Sequence, residues 1–216
     1  MVSDKVQALV READQRHTRG DFSGAVKLYG RALKLDPDDS VAWNNKGVAL
    51  SGLGRYDEAI SCYERAHELK PQYWRAWFNL GKAYHRLGKL GEAIGCYDKS
   101  LEIKPDHFSA MDMKAVALRA MRHEDEALLV YDALLAANPF YEPAWRNKGH
   151  LLSAMGDPEE ARLCFEMADM INPKSGALAP PKGTKGPGKK APAKRPPKDE
   201  ASEPDILEDD EKDEED

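Results

Sequence analysis

The stretch Ser40–Tyr73, SVAWNNKGVALSGLGRYDEAISCYERAHELKPQY, decides the fold. Its apolar and small residues fall into two sets at three- or four-residue steps, first Trp43, Gly47 and Leu50, then Ala59, Tyr63 and Ala66. That period is helical and not the alternation of a strand. Gly54 lies between the sets as a turn signal, and Pro71 follows the second set, where a residue without an N–H stops a helix. The stretch therefore predicts one helical hairpin.

The same reading propagates in both directions. Pro37, Pro71, Pro105, Pro139 and Pro173 are each 34 residues apart, a period that signals a repeat array. Anchored on them, five segments align: residues 6–39, 40–73, 74–107, 108–141 and 142–175. Position 20 is Ala25, Ala59, Ala93, Ala127 and Ala161, and position 8 is Ala13, Gly47, Gly81, Ala115 and Gly149. Position 24 is Tyr29, Tyr63, Tyr97, Tyr131 and Phe165. Small residues facing recurrent large ones are what interdigitated helices require.

With Trp at position 4, small at 8, Gly at 15, aromatic at 17, Ala at 20, aromatic at 24, Ala at 27 and Pro at 32, the pattern resembles the tetratricopeptide repeat (TPR). The second segment matches nearly throughout, and the third departs at Leu90 and Ser100. The fourth is degenerate at Arg122, Glu124 and Leu134; the fifth has Pro158 in place of the aromatic, but Asp157-Pro158-Glu159-Glu160 reads as an N-cap and first turn. The resemblance implies an all-α, right-handed α-solenoid of antiparallel helix hairpins, ten helices in all, whose first helices line a concave groove.

All 17 aromatic residues lie at or before Phe165, whereas 7 of the 14 prolines lie at or after Pro180. Residues 176–198 form a basic Pro/Lys-rich linker of charge +7 and residues 199–216 an acidic block of charge -11. Both are expected to be disordered, since such compositions cannot bury enough apolar surface to offset chain entropy. The net charge of -6 over 216 residues thus conceals a repeat region of only -2. No run of 18 apolar residues occurs, and Met1 to Gln15 lack a secretory-type apolar stretch, so no membrane partner and a reducing, cytoplasmic location are expected.

No cofactor, metal or catalytic role is expected. Cys62, Cys96 and Cys164 share position 23, and equivalent atoms of stacked hairpins lie about 10 Å apart, beyond a disulfide or a shared zinc. The six histidines follow no metal spacing, and neither a HExxH helix, a phosphate loop nor a nucleophile elbow occurs.

What the resemblance does imply is a peptide groove. Its groove positions, placed on the last three repeats, hold Arg75, Lys82, Arg86, Arg119 and Arg146 against the single carboxylate of Asp112. A concave cationic surface focuses potential on acidic ligands. Asn45, Asn79 and Asn147 fall at position 6, where the family uses an amide to hold peptide backbone. The carboxylate clamp of chaperone-binding TPR proteins is not reproduced: its best register offers Val10, Asp14, Asn45, Arg75 and Asn79, only two suitable groups.

A non-catalytic scaffold holding an extended, acidic peptide is therefore expected, with residues 199–216 competing for the same groove. The rival is an assembly or tethering factor acting through the charged tail, nucleic acid included; the adjoining acidic block disfavours that partner. The apolar last helix, with Leu163, Phe165, Met167, Met170 and Ile171, further predicts self-association through the fifth repeat.

Overall fold

The computed structural model describes residues 2–173; the expectations for residues 176–216 lie outside the described residues. The described residues form ten helices and no strand: α1 (Val2–Thr18), α2 (Phe22–Ala32), α3 (Ser40–Gly52), α4 (Tyr56–Leu69), α5 (Trp74–Arg86), α6 (Leu90–Ile103), α7 (Phe108–Ala120), α8 (Glu124–Ala137), α9 (Glu142–Met155) and α10 (Pro158–Ile171). None of them is long and apolar enough to cross a membrane.

Each odd-numbered helix packs on the helix that follows, and each even-numbered helix packs on the next hairpin. The odd-numbered helices also touch one another in succession, whereas the even-numbered ones do not. Closer approach within one layer bends the stack toward it, so α1, α3, α5, α7 and α9 form the inner side of an α-solenoid.

The columns of small and large residues explain how the hairpins close. Tyr29, Tyr63, Tyr97 and Tyr131 are at most 2% exposed, and burying each ring contributes about 3 kcal/mol. The rings lie against position 8, where a Cβ at Gly47 or Gly81 would stand 2.6 Å from Tyr63 or Tyr97. Phe165 occupies the same place over Gly149.

Turns between paired helices use left-handed backbone at Gly20, Gly54, Gly88 and Gly156, conformations that glycine adopts without Cβ strain. Arg122 takes the fourth such place with φ 66°, the one non-glycine residue among those described with positive φ.

Between hairpins, the Trp43, Trp77 and Trp145 indoles donate to the carbonyls of Pro37, Pro71 and Pro139 at 2.8, 3.2 and 2.8 Å. The three tryptophans thus tie α3, α5 and α9 to the proline that follows the helix before them. Met111, in the fourth repeat, has no N–H for this bond.

Two local expectations are corrected. Asp157 precedes α10, yet its side chain makes no capping hydrogen bond, and the helix start rests on Pro158 with Glu159 and Glu160 in the first turn. Side-chain caps occur instead at Asp21 and Asp39, which accept from the Gly24 and Ala42 amides at 2.8 Å. Moreover α2 stops at Ala32, well before Pro37, whereas the other even-numbered helices run to two residues before their proline. The proline therefore limits the second helix without by itself setting its end.

Candidate functional site

The inner layer is built from residues that recur every helical turn or so on α3, α5, α7 and α9. Its seams are polar. Asn79 on α5 donates from Nδ2 to Oδ1 of Asn44 on α3 at 3.0 Å, and Asn147 on α9 donates to Oδ1 of Asp112 on α7 at 2.9 Å. Both pairs are separated by 35 residues, so position 6 of one repeat is stapled to position 5 of the one before.

Asn44 in turn donates to Oδ1 of Asn45 at 3.1 Å, and Lys82 reaches Oδ1 of Asn79 at 3.5 Å. Asn45 and Asn79 are 2% and 3% exposed. Buried amides in hydrogen-bonded contact stiffen the seam between inner helices, and in this conformation they present no open amide to a peptide. Asn147 is only half-buried.

The five cations are placed unequally. Arg86 is exposed near the end of α5 and Arg119 half-buried on α7. Lys82 lies 5.0 Å above the Phe78 ring, and the Arg75 guanidinium 4.9 Å from the Trp74 ring centre. Such contacts orient a cation without neutralising it. Arg146 differs: its Nε donates to Glu142 at 2.7 Å and its Nη2 to Asp169 at 3.2 Å. Two carboxylates absent from the groove positions thus offset it, whereas Lys82, Arg86 and Arg119 stand along α5 and α7.

Asp112 stands beside that cationic stretch. Burial raises its carboxyl pKa above the ordinary carboxylate value, opposed by the Asn147 hydrogen bond and by the charge of Arg119. Protonation of Asp112 is therefore linked to the nearby charge of Arg119.

Asn44 and Asp112, acceptors of the two staples, lie on the face that the register predicts, but sequence reasoning gave them no such role. The signal was the 35-residue spacing of amide donor and acceptor. Glu142 was legible as the residue four before Arg146 on one helix, whereas Asp169 comes from α10 and could be found only by folding.

The cysteines sit inside the hairpin packing. Cys62, Cys96 and Cys164 are buried and free, and burial pushes the Cys96 thiol up to about 12, far from the thiolate a nucleophile needs. Among the described residues no group of His, Cys, Asp and Glu could hold a metal ion.

The comparisons with known proteins agree with the repeat arithmetic. Family models described as tetratricopeptide repeat match residues 28–61, 74–107 and 142–175, and one described as TPR repeat matches residues 52–88. The small glutamine-rich tetratricopeptide repeat-containing protein 2 of Mycosarcoma maydis is 30% identical over 53 residues, 24% of this chain. This chain spans only 15% of that relative's length, and 46% of an uncharacterized protein from Methanocaldococcus jannaschii that is 43% identical over 40 residues.

Among solved structures, that of MamA superposes with a TM-score of 0.70 at 23% identity, covering 76% of this chain and 95% of the other. The first TPR of Spaghetti, solved bound to an HSP90 peptide SRMEEVD, is similar at 27% identity and TM-score 0.55, over 56% of this chain and 95% of the other. The recurring proline, tryptophan and tyrosine columns, the paired helices they build and these matches together make the chain a tetratricopeptide repeat protein.

Proposed function

We propose that this chain is a non-catalytic scaffold that holds an extended acidic peptide along its inner layer, across α5 and α7. The observation that carries the reading is the placement of Lys82 and Arg86 on α5 and of Arg119 on the neighbouring inner helix α7, beside a seam stiffened by the Asn44–Asn79 and Asp112–Asn147 hydrogen bonds. A rigid layer of this kind loses little conformational freedom when an extended ligand docks, which favours affinity. The similar repeat domain solved with SRMEEVD supports the same reading, since that peptide carries two Glu and one Asp. Its mode of capture is a separate matter, because Asn45, one of the two clamp-like groups here, is buried.

The test is the affinity of a fluorescent acidic peptide, EDDEKDEED, for the full-length chain. The double variant R86E/R119E weakens binding about tenfold or more at low salt, with the loss shrinking as salt screens the charges. Equal affinity for the two proteins overturns the proposal.

A further inference from the structure

A second cationic surface lies on the outer side of the stack, on the hairpins that precede α5 and α7. There α2, α3 and α4 enclose a cleft of 810 Å³ whose floor includes Val26, Trp43, Leu50 and Cys62. Six cations line it, Lys27, Arg31, Lys34, Lys46, Arg55 and Arg65, against one carboxylate, Glu58. Arg55 grips Glu58 through two 2.6 Å bonds, and Arg65 pairs with Asp38 and Glu68. Among the described residues, Lys27, Arg31, Lys34 and Lys46 have no carboxylate within 4 Å.

The repeat itself shows what is missing. Lys46, Lys114 and Lys148 share position 7, and the residue each faces is position 25 of the preceding repeat. In the later hairpins that residue is acidic: Lys114 pairs with Asp98 at 2.6 Å and Lys148 with Asp132 at 2.5 Å. Opposite Lys46 the same position is Gly30, and a Cβ built there meets nothing within 4 Å. Lys46 instead stands 4.9 Å above the Trp43 ring. This point of the fold therefore holds a lysine, a tryptophan and open space where the third and fourth repeats place a carboxylate.

We propose that this cleft is a second binding site, for an acidic peptide segment, one carboxylate of which takes the place beside Lys46 that Asp98 and Asp132 fill in their own hairpins. Lys27, Arg31 and Lys34 along α2 then receive the neighbouring acidic residues, and the apolar floor accepts the intervening side chain. A carboxylate ligand is favoured over a nucleic-acid phosphate because the vacancy corresponds to a carboxylate in the sister repeats, and because the single aromatic ring of the cleft is covered by Lys46.

The site is tested by lysine-reactivity footprinting with mass spectrometry, on the full-length chain and on a full-length variant whose twelve carboxylates in residues 199–216 are replaced by amides, so that occupation in cis does not hide the site. The peptide EDDEKDEED, added at low salt, lowers labelling of Lys27, Lys34 and Lys46 about threefold or more. G30D, which supplies the carboxylate from within, removes that protection while leaving the unfolding midpoint unchanged or higher, glycine being the poorer helix former. Absence of protection at these lysines in the amide variant, or equal protection in G30D, overturns the proposal. So does stronger protection of them by an oligo-dT strand than by the peptide. Lys82 reports separately on the inner layer: protection there without protection at Lys46 leaves the inner-groove function standing, and the reverse sinks that function alone.

Discussion

One substitution, Tyr to Phe at position 24, is predicted to have opposite signs in different repeats. Tyr29 donates its hydroxyl to Asp14, itself only 4% exposed, across α1 and α2. Burial first, and then the neighbouring carboxylate, raise the phenol pKa, so the proton stays on Tyr29 as the donor. Y29F removes a hydrogen bond to a buried charged acceptor, a loss of about 1.5–3 kcal/mol. The hydroxyls of Tyr97 and Tyr131 are buried with no hydrogen-bond partner. Y97F or Y131F removes an unsatisfied polar atom and is neutral or stabilising by up to about 1 kcal/mol. At about 2–4 °C per kcal/mol, Y29F melts about 3–12 °C lower, and the other two variants no lower than the parent. Helical circular dichroism during thermal unfolding reads the difference. Because contacts in a solenoid reach only nearest neighbours, hydrogen exchange in Y29F also accelerates first in α1 and α2. If all three variants melt together, the Asp14–Tyr29 bond is not what distinguishes the first hairpin.

Four further outcomes are expected. R122G relieves left-handed backbone strain at a side chain 85% exposed and stabilises the chain by about 0.5–1 kcal/mol, read as a higher urea midpoint; a lower midpoint contradicts this. His67 stacks on Trp77 at 4.0 Å, and burial lowers its pKa, so its contribution to stability is present above the unfolded value of 6.5 and is lost as pH falls through the lower folded value. H67F keeps the ring contact and flattens that part of the stability profile below pH 6.5; an unchanged profile counts against the assignment. Deleting residues 199–216 tightens binding of an acidic peptide at low salt if the acidic block competes for the groove, and unchanged affinity removes competition from the account. Leu163 and Met170 are 47% and 65% exposed on α10, so light scattering at high micromolar concentration detects self-association that L163E/M170E abolishes; a monomeric mass for the parent refutes it.

The repeat, its ten helices and the turn glycines were legible because each is a one-dimensional signal: a fixed period, a 3.6-residue apolar stripe, a residue tolerant of positive φ. The proline column gave the length of the hairpin, but not the carbonyl that Trp43 and its counterparts bind. The inner face could be placed by register, yet its electrostatics could not be summed from groove positions alone. Arg146 was counted as an open cation because Asp169 lies 23 residues away on another helix. Asn45 and Asn79 were read as ligand-facing because helical periodicity reports direction from the axis and not how closely the neighbouring helix approaches. Burial between packed helices depends on both.

The most direct test of the inner-layer function is methionine methyl NMR of the full-length chain during titration with EDDEKDEED. Met113 on α7 packs against the core cluster that includes Phe78 of α5, at the middle of the proposed peptide path, whereas Met155 and Met170 lie at the far end of the stack. The account predicts that the Met113 methyl resonance moves with the peptide and that R86E/R119E suppresses the movement, while Met155 and Met170 stay in place. Movement of Met155 and Met170 with Met113 unmoved would contradict it.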